Sequence, residues 1–211
     1  ESGWPTDDAY LDNEMIRSRM SQALHNWGDD ERYFAAIAAL KRKHPHIPMI
    51  ILIYDHSVEA IGTQRFVRFC REQGIDQVIL VGRKDDACKN ELMRGGLQVS
   101  CFVPFHLPDW EVDNARESNG FVYLQAKPGN EIKDGYPTLA SCIRFLKAER
   151  PGCLIYCGVG ISTPEDVRMA AEAGADGVFL GSSVLKLQND QAQLKQFVKT
   201  MKSASETGSP A

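Results

Sequence analysis

Two glycine turns carry the plainest chemistry in this sequence. Gly158-Val159-Gly160 follows the short apolar run Cys153–Cys157, and Gly181-Ser182-Ser183 follows Gly177-Val178-Phe179-Leu180. In parallel β/α units, ligands gather at the carboxyl ends of strands. Glycine at such an end lets a ligand approach and leaves the backbone N–H groups unshielded. A serine hydroxyl and a helix N-terminus beside those groups favour an anion, most often phosphate. One such turn is a weak signal, but two at β-α-β spacing point to a phosphate cup.

Other residues with chemical potential sit at strand ends. His56 follows Asp55 directly after an apolar run, and His106 follows Pro104. Both would face the ligand side of a parallel sheet. His25, His44 and His46 fall on helix ends or loops and read as solvated. The histidines are isolated, and Asp7, Asp8 and Asp12 have no nearby histidine, so the sequence shows no metal-ligand pattern and implies no metal or cofactor. The six cysteines, Cys70, Cys88, Cys101, Cys142, Cys153 and Cys157, include no CxxC pair. Most lie in apolar or helical stretches, where cysteine packs as a small hydrophobe. They read as reduced, which favours a cytoplasmic setting.

These residues need a scaffold, and the pattern supplies one. Between the glycine turns, Ser162-Thr163-Pro164-Glu165 reads as a capping box with proline in the first turn. Val167, Ala170, Ala171 and Ala173 form a small apolar face, and Gly174 ends that helix. Upstream, residues 14–26 read as a helix with Met15, Ile16, Met20 and Leu24 on one side, closed by Trp27-Gly28. A second helix over 29–43 turns Tyr33, Phe34, Ile37 and Leu40 inward. MIILIY at 49–54 reads as a strand buried on both faces. Then come helix 57–73, strand 77–81, helix 85–94, strand 98–103, helix 110–117, strand 121–124 and helix 137–149. A last helix covers 190–202, and 203–211 reads as a disordered polar tail. Six strands alternate with helices, so the sheet is expected to be parallel. An open doubly wound sheet and a closed eight-stranded barrel both satisfy that pattern.

Composition narrows the partners. The chain has 211 residues, 43% hydrophobic and 25% charged, as expected of one globular domain over 1–202. A net charge of −4 with no basic block argues against nucleic acid or an anionic membrane surface. No run approaches the about 18 apolar residues of a membrane helix. The opening ESGWPTDDAY lacks the basic and apolar regions of a signal peptide.

Taken in order, Ile47-Pro48, Leu52-Ile53-Tyr54, Gly74-Ile75-Asp76, Gly120-Phe121-Val122-Tyr123, Gly158-Val159-Gly160-Ile161-Ser162 and Gly181-Ser182-Ser183 resemble the tryptophan synthase α-subunit family. The resemblance covers roughly residues 1–187. It implies a (β/α)8 TIM-barrel fold of which this chain spans about six of eight strands, the earlier ones falling before Glu1. It implies a lyase of tryptophan biosynthesis: retro-aldol cleavage of indole-3-glycerol phosphate to indole and glyceraldehyde 3-phosphate. It implies Glu1 as general acid and base, Asp12 as acceptor for the indole N–H, and Gly160, Gly181 and Ser182 as phosphate ligands. Lys127, which in another setting suggests a Schiff-base lysine, stands where the family is arginine-like and so reads as a positioning or loop residue. A tryptophan synthase β-like subunit, or self-association across an open sheet edge, is the expected partner.

The chain also departs from the family. Gly129-Asn130-Glu131-Ile132-Lys133 replaces a loop with a threonine that positions the aspartate and a glycine that holds phosphate. Gly82-Arg83-Lys84 replaces a closure motif, Thr6-Asp7 replaces Phe-Ser, and His56 stands where the family has asparagine. Glu131, His56 and Tyr123 are the expected loop contacts. A relative that binds a phosphorylated ligand without cleaving it, or regulates a partner, is the alternative, and the course of Gly129–Lys133 is the feature that separates the two.

Overall fold

Asn13, Asp29, Thr138 and Thr163 each accept from a backbone N–H at the start of the helix that follows, which fixes where those helices begin. In the computed structural model the structure describes residues 1–82 and 86–207. The chain forms two compact units, Glu1–Ser100 with Ser118–Gly120, and Cys101–Glu117 with the residues from Phe121 on.

The first unit holds β1 (Ser2–Gly3), α1 (Glu14–Trp27), α2 (Asp30–Lys43), β2 (Ile50–Tyr54), α3 (Asp55–Ile61), α4 (Thr63–Glu72), β3 (Gln77–Val81) and α5 (Ala87–Arg94). It also holds the start of β4 (Gln98–Val103). β1, β2 and β3 pair in parallel, with Ser2 opposite Ile51 and Tyr54 opposite Val81. Ser118–Gly120 joins this unit because Asn119 Oδ1 accepts from Val99 N at 2.7 Å and Gly120 N donates to Val99 O at 2.9 Å.

The second unit holds the rest of β4, α6 (Asp109–Glu117), β5 (Val122–Gln125), α7 (Leu139–Glu149), β6 (Ile155–Gly158) and α8 (Pro164–Glu172). It ends with β7 (Gly177–Val178), α9 (Ser182–Leu187) and α10 (Gln191–Thr207). Its strands are also parallel: Cys101 faces Val122, Val122 faces Ile155, and Cys157 faces Val178.

Several expectations change. The described residues contain seven strands rather than six, because Ser2–Gly3 pairs with β2 inside a segment that looked only polar and turn-rich. Trp4, 2% exposed, anchors that segment. Its ring packs edge-on against Tyr33, Phe34 and Phe66 with centroids 4.6, 4.9 and 5.8 Å away. Truncating so buried an aromatic costs about 3–5 kcal/mol. The helix expected over 57–73 breaks at Gly62, whose φ of 90° ends α3 and starts α4. Leu40 is exposed, whereas Phe34, Ile37 and Ala38 are the buried face of α2. The cap of α8 is Thr163, not Ser162, and its box partner is Asp166, not Glu165. The expected disordered tail is helical through Thr207, since Met201 and Ala204 bury against the second core. Residues 208–211 lie outside the described residues, as do Arg83 and Lys84 of the altered closure motif.

All six cysteines are buried and free. Burial pushes the Cys70 thiol up to about 12, and burial with nearby Asp176 does the same for Cys157. Among the described residues no helix is long and apolar enough to cross a membrane.

Candidate active site

In the first unit, a polar segment is pinned to strand ends at four points. Trp4 N donates to Leu52 O at 2.7 Å, which lays the segment along β2. The Thr6 hydroxyl and His56 Nε2 form a 2.9 Å hydrogen bond. Tyr10 donates its hydroxyl to Gly82 O at 2.8 Å, and Tyr54 donates to Asp12 Oδ2 at 2.8 Å. Gly82 is required here: a Cβ would stand 2.7 Å from the Tyr10 hydroxyl and 2.9 Å from the Tyr54 ring. Asn13 closes the segment by accepting from Ile16 N and capping α1.

This arrangement brings Glu1 and Asp12 close enough to sense each other. Glu1 is an exposed residue overall, yet desolvation of its carboxyl is the largest influence on it and raises its pKa. The charge of Asp12 adds to that rise. Asp12 is also raised, chiefly by desolvation, with the Tyr54 hydrogen bond and Arg17 opposing. Burial first, and then the Asp12 carboxylate, drive the Tyr54 phenol far above its ordinary value, so Tyr54 stays a donor. Two desolvated carboxyls, the second fixed by a hydrogen bond, are an arrangement that can move a proton. His56 belongs to the same cluster through Thr6, with its ring 5.4 Å from that of Tyr54.

The second unit holds the glycine turns. Gly160 and Gly181 each lie three residues beyond a paired position, because Cys157 faces Val178 across β6 and β7. Val159 adopts φ 54°, a costly value for a β-branched residue, and Gly160 follows at φ 109°. Such strain gathers at sites of ligand contact. Among the described residues, the backbone N–H groups of Gly160, Gly181 and Ser182 donate to no protein acceptor. Tyr123 is half-buried with its ring on Gly158, where an added Cβ would stand 2.3 Å from Cε2.

One expectation about this cup is corrected. The N–H groups ahead of α8 are not open to an anion, because Asp166 takes them: Oδ2 accepts from Ser162 N at 2.9 Å and Thr163 N at 3.0 Å. Lys127 Nζ lies 2.6 Å from Asp166 Oδ1. Burial alone would raise Asp166, but Lys127, Ser162 and Thr163 together hold it well below the usual carboxylate range. This ion pair holds the Lys127 nitrogen as an ammonium, whereas a Schiff-base lysine needs a free amine.

The altered loop folds onto its neighbour. Glu131 is exposed and reaches His106, with Oε2 3.7 Å from Nε2. Lys133 donates to Leu107 O at 3.0 Å and to Asp109 at 2.6 Å. Glu1, Asp12 and His56 thus lie in the first unit, and Gly160, Gly181, Ser182, Tyr123 and Glu131 in the second. Tyr54 and Asp166, which contact the expected site residues, were not singled out from the sequence. Tyr54 had one signal, its place as the last residue of a strand; Asp166 had none beyond its place in the first turn of a helix.

The sequence model of the family described as tryptophan synthase alpha chain matches residues 1–209. The chain belongs to that family. A tryptophan synthase alpha chain of Edwardsiella ictaluri is 30% identical over 218 residues, covering 97% of this chain and 81% of that one. The solved tryptophan synthase A-subunit of Pyrococcus furiosus superposes with a TM-score of 0.78 at 22% identity, covering 95% of this chain and 84% of that one. A chain of the solved tryptophan synthase complex of the same organism gives 0.77, also at 22% identity and with the same 95% and 84% coverage. The fold is therefore the β/α barrel type, not the open doubly wound sheet. Family membership likewise favours the lyase over the binding-only alternative.

Proposed function

We propose that this chain cleaves indole-3-glycerol phosphate to indole and glyceraldehyde 3-phosphate, with Glu1 as general acid and base, Asp12 as acceptor for the indole N–H, and Gly160, Gly181 and Ser182 as ligands of the phosphate. The bond that breaks joins indole C3 to the side chain. C3 gains a proton, the adjacent glycerol hydroxyl loses one, and the bonding electrons return to the ring as the aldehyde leaves. Asp12 steadies the positive charge that builds on the indole nitrogen. No cofactor takes part in these steps.

The observation that carries this reading is the Glu1–Asp12 pair. Its desolvation raises both carboxyls, so Glu1 keeps its proton to higher pH than an exposed glutamate, as a general acid must. Tyr54 fixes the second carboxylate in place. The solved complex from Pyrococcus furiosus supports a β-like subunit as the partner, and a cytoplasmic setting fits the free cysteines.

The test is indole release from indole-3-glycerol phosphate by the wild-type chain and by Glu1→Gln, with a β-like subunit supplied in a parallel set. Glu1→Gln should fall at least a hundredfold below wild type. Equal rates for the two proteins, or none from wild type in either set, would overturn the assignment.

A further inference from the structure

The cup in the second unit has a donor beyond its backbone. Asp166 closes the N–H groups of Ser162 and Thr163 to any outside anion, and it also accepts from the Ser162 hydroxyl at 3.1 Å. In doing so it holds Lys127 at Oδ1, 2.6 Å away. The lysine stem lies across Gly160: its Cγ, Cβ and Cδ stand 3.0, 3.1 and 3.1 Å from where a Cβ on that glycine would sit. At its other end, the Lys127 carbonyl accepts from Gln125 Nε2 at 2.8 Å. Backbone and ammonium are therefore both fixed, and the stem is laid along the turn that offers the Gly160 N–H.

The two members of the ion pair differ in access. The Lys127 side chain is 46% exposed and that of Asp166 only 12%. An ammonium carries three donors, and Asp166 is its one charged acceptor among the described residues. The carboxylate keeps three other hydrogen bonds, from Ser162 N, Ser162 Oγ and Thr163 N. Lys127 can thus turn donors to a ligand without leaving a buried charge unsatisfied.

We propose that Lys127 is a phosphate ligand: held beside Gly160 by Asp166, its ammonium supplies the cationic donor of the cup and selects a dianionic substrate tail over an uncharged one. This rests on the reading of Gly160, Gly181 and Ser182 as the phosphate cup. Backbone N–H groups bring only partial charge, whereas a phosphate monoester carries about −1.5 to −2 at pH 7. Charge-assisted hydrogen bonds are about twice as strong as neutral ones. Asp166 acts through Lys127 and is a positioning residue.

The experiment titrates wild type, Lys127→Met and Lys127→Arg with glycerol 3-phosphate by calorimetry. Methionine keeps a stem over Gly160 and removes the charge; arginine keeps the charge. Lys127→Met should bind about tenfold more weakly or worse, with Lys127→Arg within about threefold of wild type. In turnover, Lys127→Met should raise KM for indole-3-glycerol phosphate by a similar factor and move kcat by less than about threefold. Equal binding by wild type and Lys127→Met overturns the role of Lys127 and leaves the cup intact. No binding by wild type overturns the cup and this proposal with it. A second measurement needs no variant: saturating glycerol 3-phosphate should slow acetic anhydride labelling of Lys127 in wild type, read by mass spectrometry. Unchanged labelling at saturation overturns the proposal.

Discussion

Tyr54 donates its hydroxyl to Asp12 Oδ2 at 2.8 Å across 42 residues of chain. The Tyr54 hydroxyl oxygen also accepts from Leu11 N at 3.3 Å, so one buried phenol fixes both the carboxylate and the backbone that presents it. Replacing Tyr54 with phenylalanine removes an interaction that lowers the Asp12 pKa. Asp12 then ionises only at higher pH. The acidic limb of kcat/KM should move upward, and activity at pH 7 should fall about tenfold, the worth of one hydrogen bond to a charged group. A pH profile with an unmoved acidic limb would show that Tyr54 does not hold Asp12.

The desolvated carboxyl pair also sets a stability trend. Glu1 and Asp12 hold their protons more tightly in the folded chain than their ordinary values of 4.5 and 3.8. As pH rises through those values the unfolded chain gives up protons first, so stability falls until the raised folded values are passed. Above that window the ionised pair is a standing cost. Glu1→Gln and Asp12→Asn should therefore melt at higher temperature than wild type at pH 7, and the gain should vanish below about pH 3.5. Thermal melts by circular dichroism across pH check both the sign and the window.

Two glycines of the cup are expected to respond oppositely. A Cβ on Gly158 would stand 2.3 Å from Tyr123 Cε2 and 2.4 Å from its hydroxyl, so Gly158→Ala must displace a packed ring. It should destabilise the chain by about 1–3 kcal/mol. Gly181 has nothing within 4 Å of the same position, and its φ is −96°. Gly181→Ala should leave the melting temperature near that of wild type while weakening glycerol 3-phosphate binding. A large loss of stability in Gly181→Ala would remove it as a clean probe of ligand contact.

Ser100 offers a stabilising change. Its hydroxyl is fully buried and has no hydrogen-bond partner among the described residues. Ser100→Ala removes a desolvated polar group and should raise stability by about 1 kcal/mol. The urea midpoint should rise with an unchanged slope. A lower midpoint would mean that the hydroxyl has a partner in solution.

Much of this molecule is readable along the chain because its causes are local. Gly28, Gly74 and Gly174 end helices where the pattern placed them, each at a positive φ that other residues avoid. Continuous apolar runs become parallel strands, and the two glycine turns fall three residues past paired positions on neighbouring strands. Those features depend on residues a few positions apart, so their spacing carries the information. The rest depends on residues that meet only after folding. Trp4 looked like part of a polar lead-in until Tyr33, Phe34 and Phe66 closed around it. Nothing local marked Asp166, which accepts from the N–H groups of Ser162 and Thr163 ahead of its helix and pairs with Lys127. Glu1 and Asp12 were carboxylates in a polar segment, and what makes them a pair is desolvation by neighbours that the sequence holds at a distance. Local propensity and periodicity determined the β/α rhythm and the place of the cup. Burial and long-range hydrogen bonding, which no short window contains, decided the surroundings and orientation of the residues proposed to do the chemistry.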